Sequence, residues 1–195
     1  MRFVDLSHPL QSGMAPLTLK PHPTKPITIV EVPALIQGGK RIDRLPVSSF
    51  FKSAVLLDLT SKRRSEVIDD EDLEAAEEAA GLAVREGEVV LLWTGWEKYA
   101  GMRGYGAGFP SLSRNAVEYL LFREVSGVAV DCPSVDSDQK LTVHRALFRG
   151  GVLVIENLRN VEMIAQSRFQ LIFFPLKVKA GRSAVRVVAV VDDSQ

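Results

Sequence analysis

The chain has 195 residues, 24 basic and 24 acidic side chains, 46% hydrophobic residues, three His and one Cys. That length suits one domain with a sizeable core, and the balanced charge leaves no global field to draw nucleic acid or anionic lipid. The lone Cys132 excludes an internal disulfide framework and a thiolate zinc site, and with three His any metal site must use nearly all of them or lean on carboxylates.

No apolar run approaches the roughly 20 residues of a membrane helix, and the stretch Met1 to Asp5 carries no signal-peptide apolar region. The expectation is a soluble cytoplasmic protein with neither a membrane nor a nucleic-acid partner. From Gly13 to Pro33 the chain is rich in proline (Pro16, Pro21, Pro23, Pro26, Pro33), which predicts an extended surface stretch. Within it, Ile27 to Val32 fits a short edge strand.

Six apolar runs of strand length follow: 54–59, 88–93, 127–131, 151–156, 169–174 and 184–191. Continuous apolar strands are usually covered on both faces; Arg186 interrupts the last and predicts one wetter face there. Helices are predicted between some of them. Asp69-Asp70-Glu71-Asp72 opens one that reaches Ala80, with acids at the positive end of the dipole and Gly81 as its stop. Ser113 is a suitable N-cap for a second, with Val117, Leu120 and Leu121 on one face. A third runs from Thr142 to Phe148 and ends at Gly150-Gly151. Strands alternating with helices, then adjacent late strands, predict an α/β domain with a mixed central sheet, 1–195 forming one unit.

Residues able to do chemistry are few. His144 lies on the third helix, and Glu156 ends an apolar strand, where α/β domains collect functional groups. Together they suit a metal, or a base with its orienting carboxylate, or else form a structural ion pair. Asp131 also ends a strand; binding a ligand and capping the next turn are both open to it. Cys132 reads as a small buried hydrophobe. His8, in Asp5-Leu6-Ser7-His8-Pro9, suits a ligand or a turn, and His22, between Pro21 and Pro23, reads as exposed. Trp93, Trp96, Tyr99, Tyr105 and Phe109 surround a loop with Gly101, Gly104, Gly106 and Gly108. The loop lacks a following Lys-Ser/Thr and is no P-loop. Its aromatic residues either wall a substrate pocket, with Trp96 as the binding residue, or close the edge of the core.

Ordered motifs give a further reading. Asp5-Leu-Ser-His-Pro-Leu10, Gly38-Gly-Lys-Arg-Ile-Asp-Arg-Leu-Pro46, Ala54-Val-Leu-Leu-Asp-Leu59 and Gly87-Glu-Val-Val-Leu-Leu-Trp-Thr-Gly-Trp96 come first. Gly127 to Asp136, Val143-His144-Arg145, Gly151 to Leu158 and Pro175-Leu-Lys177 continue in the same order. These resemble the cyclase family, which includes bacterial kynurenine formamidases and related metal-dependent hydrolases. The resemblance implies a swivelling β/β/α-type fold, a homo-oligomer (dimer or tetramer) and hydrolysis of a small amide such as N-formylkynurenine. It also implies zinc, often as a pair, or manganese to activate water.

The family's motif H-x-G-T-H-x-D-x-P-x-H-F supplies most of its metal ligands. Residues 28–37 retain Pro33 from it but neither the His nor the Asp residues, and the segment 1–37 is shortened. His144 and Glu156 match later ligand positions. A catalytic zinc usually takes three protein ligands; the third would come from Glu31, His22, His8 or Asp131. The sequence therefore predicts a family member with impaired or lost metal catalysis and no cofactor. The alternative is an active hydrolase with a rearranged site built on His144 and Glu156.

Overall fold

A computed structural model describes residues 1–9, 28–31, 39–137 and 140–192. Strands β1 (Arg2–Asp5), β2 (Ile29–Glu31) and β3 (Phe51–Asp58) come first. After them come a two-residue β4 (Val67–Ile68), helix α1 (Asp70–Ala80), β5 (Val89–Trp93), a two-residue β6 (Ser111–Leu112) and α2 (Arg114–Phe122). The chain ends through β7 (Gly127–Val130), α3 (Thr142–Arg149), β8 (Leu153–Glu156), β9 (Arg168–Pro175) and β10 (Arg182–Val191). Helix boundaries follow their caps. Asp69 and Asp72 form a capping box at the start of α1, Gly81 stops it in the left-handed region, and the Ser113 hydroxyl accepts from Ala116 N at α2.

The main sheet runs β1-β10-β2-β8-β7-β5-β3-β9, and β9 pairs back onto β10, which closes it. Strand β10 allows this closure because it is long. Residues 185–190 pair with β9 along one edge, while 182–184 pair with β2 and 188–191 with β1 along the other. Strands β3, β5, β7 and β8 are parallel; the remaining pairings in this sheet are antiparallel. The fold is thus the expected mixed α/β architecture.

The parallel strands separate two cores. Val90, Leu92, Val128 and Val154 pack against Leu73, Leu120 and Leu147 of the helices. Their neighbours Val89, Leu91, Ala129 and Ile155 turn inward, against Leu171 and Phe173. Both faces are dry, which is why these runs show no polar alternation. Strand β10 does alternate, with Val185, Val187 and Ala189 inside and Arg186 exposed. Among the described residues no helix is long and apolar enough to cross a membrane.

Strand β2 departs from expectation. It is not an edge strand: it lies between β10 and β8 and pairs with both. Prolines suggest an edge because they cannot donate to a ladder. Here the paired residues are 29–31, none of them a proline; the prolines of the 13–33 stretch lie outside the described residues. This internal position carries Glu31 into the interior.

Candidate metal centre

Strand β8 delivers Glu156 at its carboxyl end, and α3 delivers His144 from its first turn. The register of β2 sets Ile29 opposite Glu156 and Glu31 opposite Val154, so Glu31 lies diagonally across from Glu156. The three side chains meet: His144 Nε2 is 3.2 Å from Glu156 Oε1 and 3.4 Å from Glu31 Oε2. One ligand atom from each falls within 4.8 Å of the other two, and the residues are 0% (Glu31), 2% (His144) and 1% (Glu156) exposed.

Each side chain is held from behind. Asp136 Oδ2 lies 2.6 Å from His144 Nδ1, and the same carboxylate accepts from the Val143 and His144 backbone N–H groups, so it also caps α3. With Nδ1 donating to Asp136, Nε2 faces the two carboxylates, as N–H while the ring is charged and as a lone pair once a cation displaces that proton. Glu156 Oε1 accepts from Val135 N at 3.0 Å. Glu31 Oε1 pairs with the Arg182 guanidinium, which stands directly opposite on β10. Asn157, in the left-handed region at φ 60°, turns the chain out of β8. It is anchored by its own N–H to Cys132 O, by the Thr28 hydroxyl on its carbonyl, and by the Tyr105 hydroxyl on Oδ1 at 2.8 Å.

The electrostatics follow from burial. Burial raises the Glu31 carboxyl, the neighbouring Glu156 raises it further, and His144 with Arg182 offset part of this, leaving it near 7. Burial pulls His144 down, but Glu156, Asp136 and Glu31 outweigh it and lift the imidazole to about 10. The Asp136 carboxyl, although burial pushes it up, ends below its usual value because of the bonds from His144 and Val143. Two buried carboxylates facing one another need a proton or a cation between them; without an ion the raised imidazole meets that need, and a divalent cation would replace its proton.

The residues present fit a divalent cation. Glu31 Oε2 and His144 Nε2 are buried and make no hydrogen bond, and Glu156 adds a second carboxylate beside them. Two oxygens and one nitrogen, with each side chain fixed from outside, match the three-ligand set of a catalytic zinc that keeps one position open.

The other candidates are placed as follows. Asp131 is fully buried and accepts from Thr94 N, Thr94 Oγ1 and Glu97 N, so it caps the turn after β5. Trp96 is buried, donates from Nε1 to Tyr105 O, and packs with Tyr99 and Phe109 at the edge of the helix-side core. Cys132 is free and buried, and burial pushes its thiol well up. His8 stays outside the cluster. Burial and Arg159 lower it to about 4, and it lines a cleft of about 620 Å³ with Arg159, Arg186 and Phe174. His22 lies outside the described residues.

Of the four candidate third ligands, Glu31 is the one that, among the described residues, meets His144 and Glu156, while Asp136 and Arg182 are hidden from the sequence. Glu31 carries a signal: it stands two residues before Pro33, at the D-x-P spacing of the family motif, with Glu in place of Asp. Asp136 lies seven residues ahead of the Val143 N–H it caps, too far for a capping pattern. Arg182 meets Glu31 only through strand pairing, 151 residues away.

Comparison with known proteins agrees with this architecture. A family model described as "Putative cyclase" matches residues 4–137. An isatin hydrolase from Roseibium aggregatum is 29% identical over 134 residues, covering 62% of this chain and 51% of that protein. A kynurenine formamidase from Bordetella pertussis is 33% identical over 94 residues, 47% of this chain and 44% of its own length. The chain thus spans about half the length of the curated relatives it matches. Among solved structures, isatin hydrolase A from Ralstonia solanacearum superposes with a TM-score of 0.83 at 22% identity, covering 98% of this chain and 92% of that one. A potential metal-dependent hydrolase with cyclase activity superposes at 0.77 and 23% identity, covering 96% of both chains. With the family model matching well over half of its length, the chain belongs to the cyclase family.

Proposed function

We propose that the protein is an amide hydrolase that works with one divalent cation, zinc or manganese, held by Glu31, His144 and Glu156. The observation that carries this reading is the convergence of buried, unbonded Glu31 Oε2 and His144 Nε2 beside Glu156. The names of the relatives, isatin hydrolase and kynurenine formamidase, support a small aromatic amide as substrate class.

When bound, such a cation supplies a water ionised near neutral pH and a Lewis-acid contact for the amide carbonyl. The chain's residues prepare that chemistry. Asp136 fixes the His144 tautomer, so that Nε2 presents its lone pair. The Val135 N–H holds one Glu156 oxygen, and Arg182 holds one Glu31 oxygen, which leaves the second oxygen of Glu31 directed at the cluster. Phe148 packs edge-on against the His144 ring at 5.6 Å, and His144 is buried.

A second reading, a family member with impaired or lost turnover, is favoured by one observation. The motif's paired His residues have no counterpart; Ile29 stands two residues before Glu31, where the motif places one of them. Among the described residues, the donors that converge are three, a set for one cation.

The deciding experiment loads the purified protein with Zn²⁺ or Mn²⁺, measures stoichiometry, and assays N-formylkynurenine, isatin and simple formanilides. One equivalent of metal, lost in His144→Ala, together with turnover lost in Glu156→Gln, supports the hydrolase. One equivalent of metal without turnover supports the second reading. Absence of stoichiometric metal refutes the metal centre.

A further inference from the structure

The buried cluster contains more negative charge than its histidine can balance. Glu31, Glu156 and Asp136 are all buried carboxylates, at 0%, 1% and 2% exposure. A ligating histidine is neutral, so a divalent ion alone leaves the group one positive charge short. Arg182 supplies a charge of that sign. It stands directly opposite Glu31 in the antiparallel register of β10 and β2, its guanidinium pairs with Glu31 Oε1, and its side chain is 14% exposed. A cross-strand pair in a closed sheet is fixed by the backbone ladder and needs no loop to hold it. Arg182 also lies outside residues 4–137, the part that carries the family match.

We propose that Arg182 is a built-in counter-cation of the centre, a positioning residue that neutralises Glu31 and fixes its orientation, so that the site keeps its shape with or without a divalent ion. Glu31 then serves two cations through its two oxygens. Oε1 belongs to Arg182 permanently, and Oε2 is left for the ion. The division follows from geometry: the guanidinium approaches from β10, while His144 and Glu156 approach from α3 and β8. Permanent use of one oxygen makes Glu31 a one-oxygen ligand and prevents it from closing around the ion with both. It also means that the folded centre does not depend on metal, in contrast to sites where metal binding is itself the folding energy. The counter-cation role rests on the pairing alone, whereas the shared use of Glu31 rests on the metal reading proposed above.

A four-protein thermal cycle tests it: wild type, Arg182→Met, Glu31→Gln and the double variant, each melted in EDTA and again with one equivalent of Zn²⁺. Removing one partner of a buried pair costs enough to lower the melting temperature of a chain this size by roughly 10 °C. Arg182→Met in EDTA should show that loss. The double variant should regain at least half of it, because the uncharged amide introduced by Glu31→Gln needs no counter-ion. Arg182→Lys keeps the charge and should fall between wild type and Arg182→Met, which also covers the case in which the Met variant does not fold. Zn²⁺ should raise the melting temperature of Arg182→Met more than that of wild type, because the ion then stands in for the missing cation.

Arg182→Met melting within about 2 °C of wild type in EDTA, or a double variant no better than the sum of the single losses, overturns the counter-cation role. A wild type that takes up no zinc, with the EDTA cycle as expected, refutes the metal reading and leaves Arg182's role standing. Zinc uptake by wild type with an equal or smaller rise in Arg182→Met overturns the shared use of Glu31.

Discussion

Asp136→Asn probes the support of the centre without touching the three converging atoms. The Asp136 carboxylate takes three bonds, from Val143 N at 2.9 Å, His144 N at 2.9 Å and His144 Nδ1 at 2.6 Å. Asparagine keeps a single acceptor oxygen. Its better orientation leaves that oxygen on the His144 side and turns the amide toward the Val143 N–H, donor against donor. One helix-cap bond is then lost, at about 0.5–2 kcal/mol, and a charge-assisted bond to His144 becomes a neutral one of roughly half the strength. Together these give about 2–3 kcal/mol of stability, or a fall of about 4–12 °C in melting temperature for a chain of this size. The same change loosens the imidazole, for which losses of about 10–100-fold in metal affinity are expected. Urea unfolding measures the first effect, and zinc competition against a chromophoric chelator the second. Stability within about 0.5 kcal/mol of wild type, with zinc affinity unchanged, would refute the assignment of Asp136 as the orienting group.

Other consequences follow from the same contacts. The Glu97 carboxyl is pushed up to about 8, first by burial and then by the hydrogen bond and charge of Glu162 and the charge of Asp131. The folded state therefore holds this proton more tightly than the unfolded chain. Its contribution is complete below the unfolded value of 4.5 and declines as pH rises toward 8. Glu97→Gln should flatten that decline in unfolding curves taken across this range, and equal slopes would contradict it. Tyr105→Phe strands the Asn157 side-chain oxygen in the interior and should cost about 1–3 kcal/mol in urea unfolding, with far-UV circular dichroism unchanged. Cys132, buried and with its thiol pushed well up, should react with a thiol reagent only once the protein is unfolded; labelling of the folded protein at a comparable rate would show that it opens to solvent.

Much of the fold is legible along the chain. The apolar runs at 88–93, 127–131 and 151–156 correspond to β5, β7 and β8, and the acidic cap at 69–72 with Gly81 bounds α1 within a residue. Burial on both faces erases the polar alternation that would tell one face from the other. The site is half legible. His144 and Glu156 stand out by strand-end position and motif, and the structure brings them together. Asp131 and Trp96 stand out for the same kind of reason and are occupied in a turn cap and a core edge.

Local chemistry needs only neighbouring residues, and those the sequence supplies: caps, glycine stops, strand periodicity, the scarcity of His, and a motif that lost its His pair. Pairing between distant segments is a property of register. Which carboxylate completes the centre, and which cation balances it, are decided when the closing sheet sets Glu31 between Arg182 on β10 and Val154 on β8. The sequence offers Glu31 as one candidate among four and gives no sign of Arg182, because residues 31, 144, 156 and 182 become neighbours only when the sheet closes and buries their charges together.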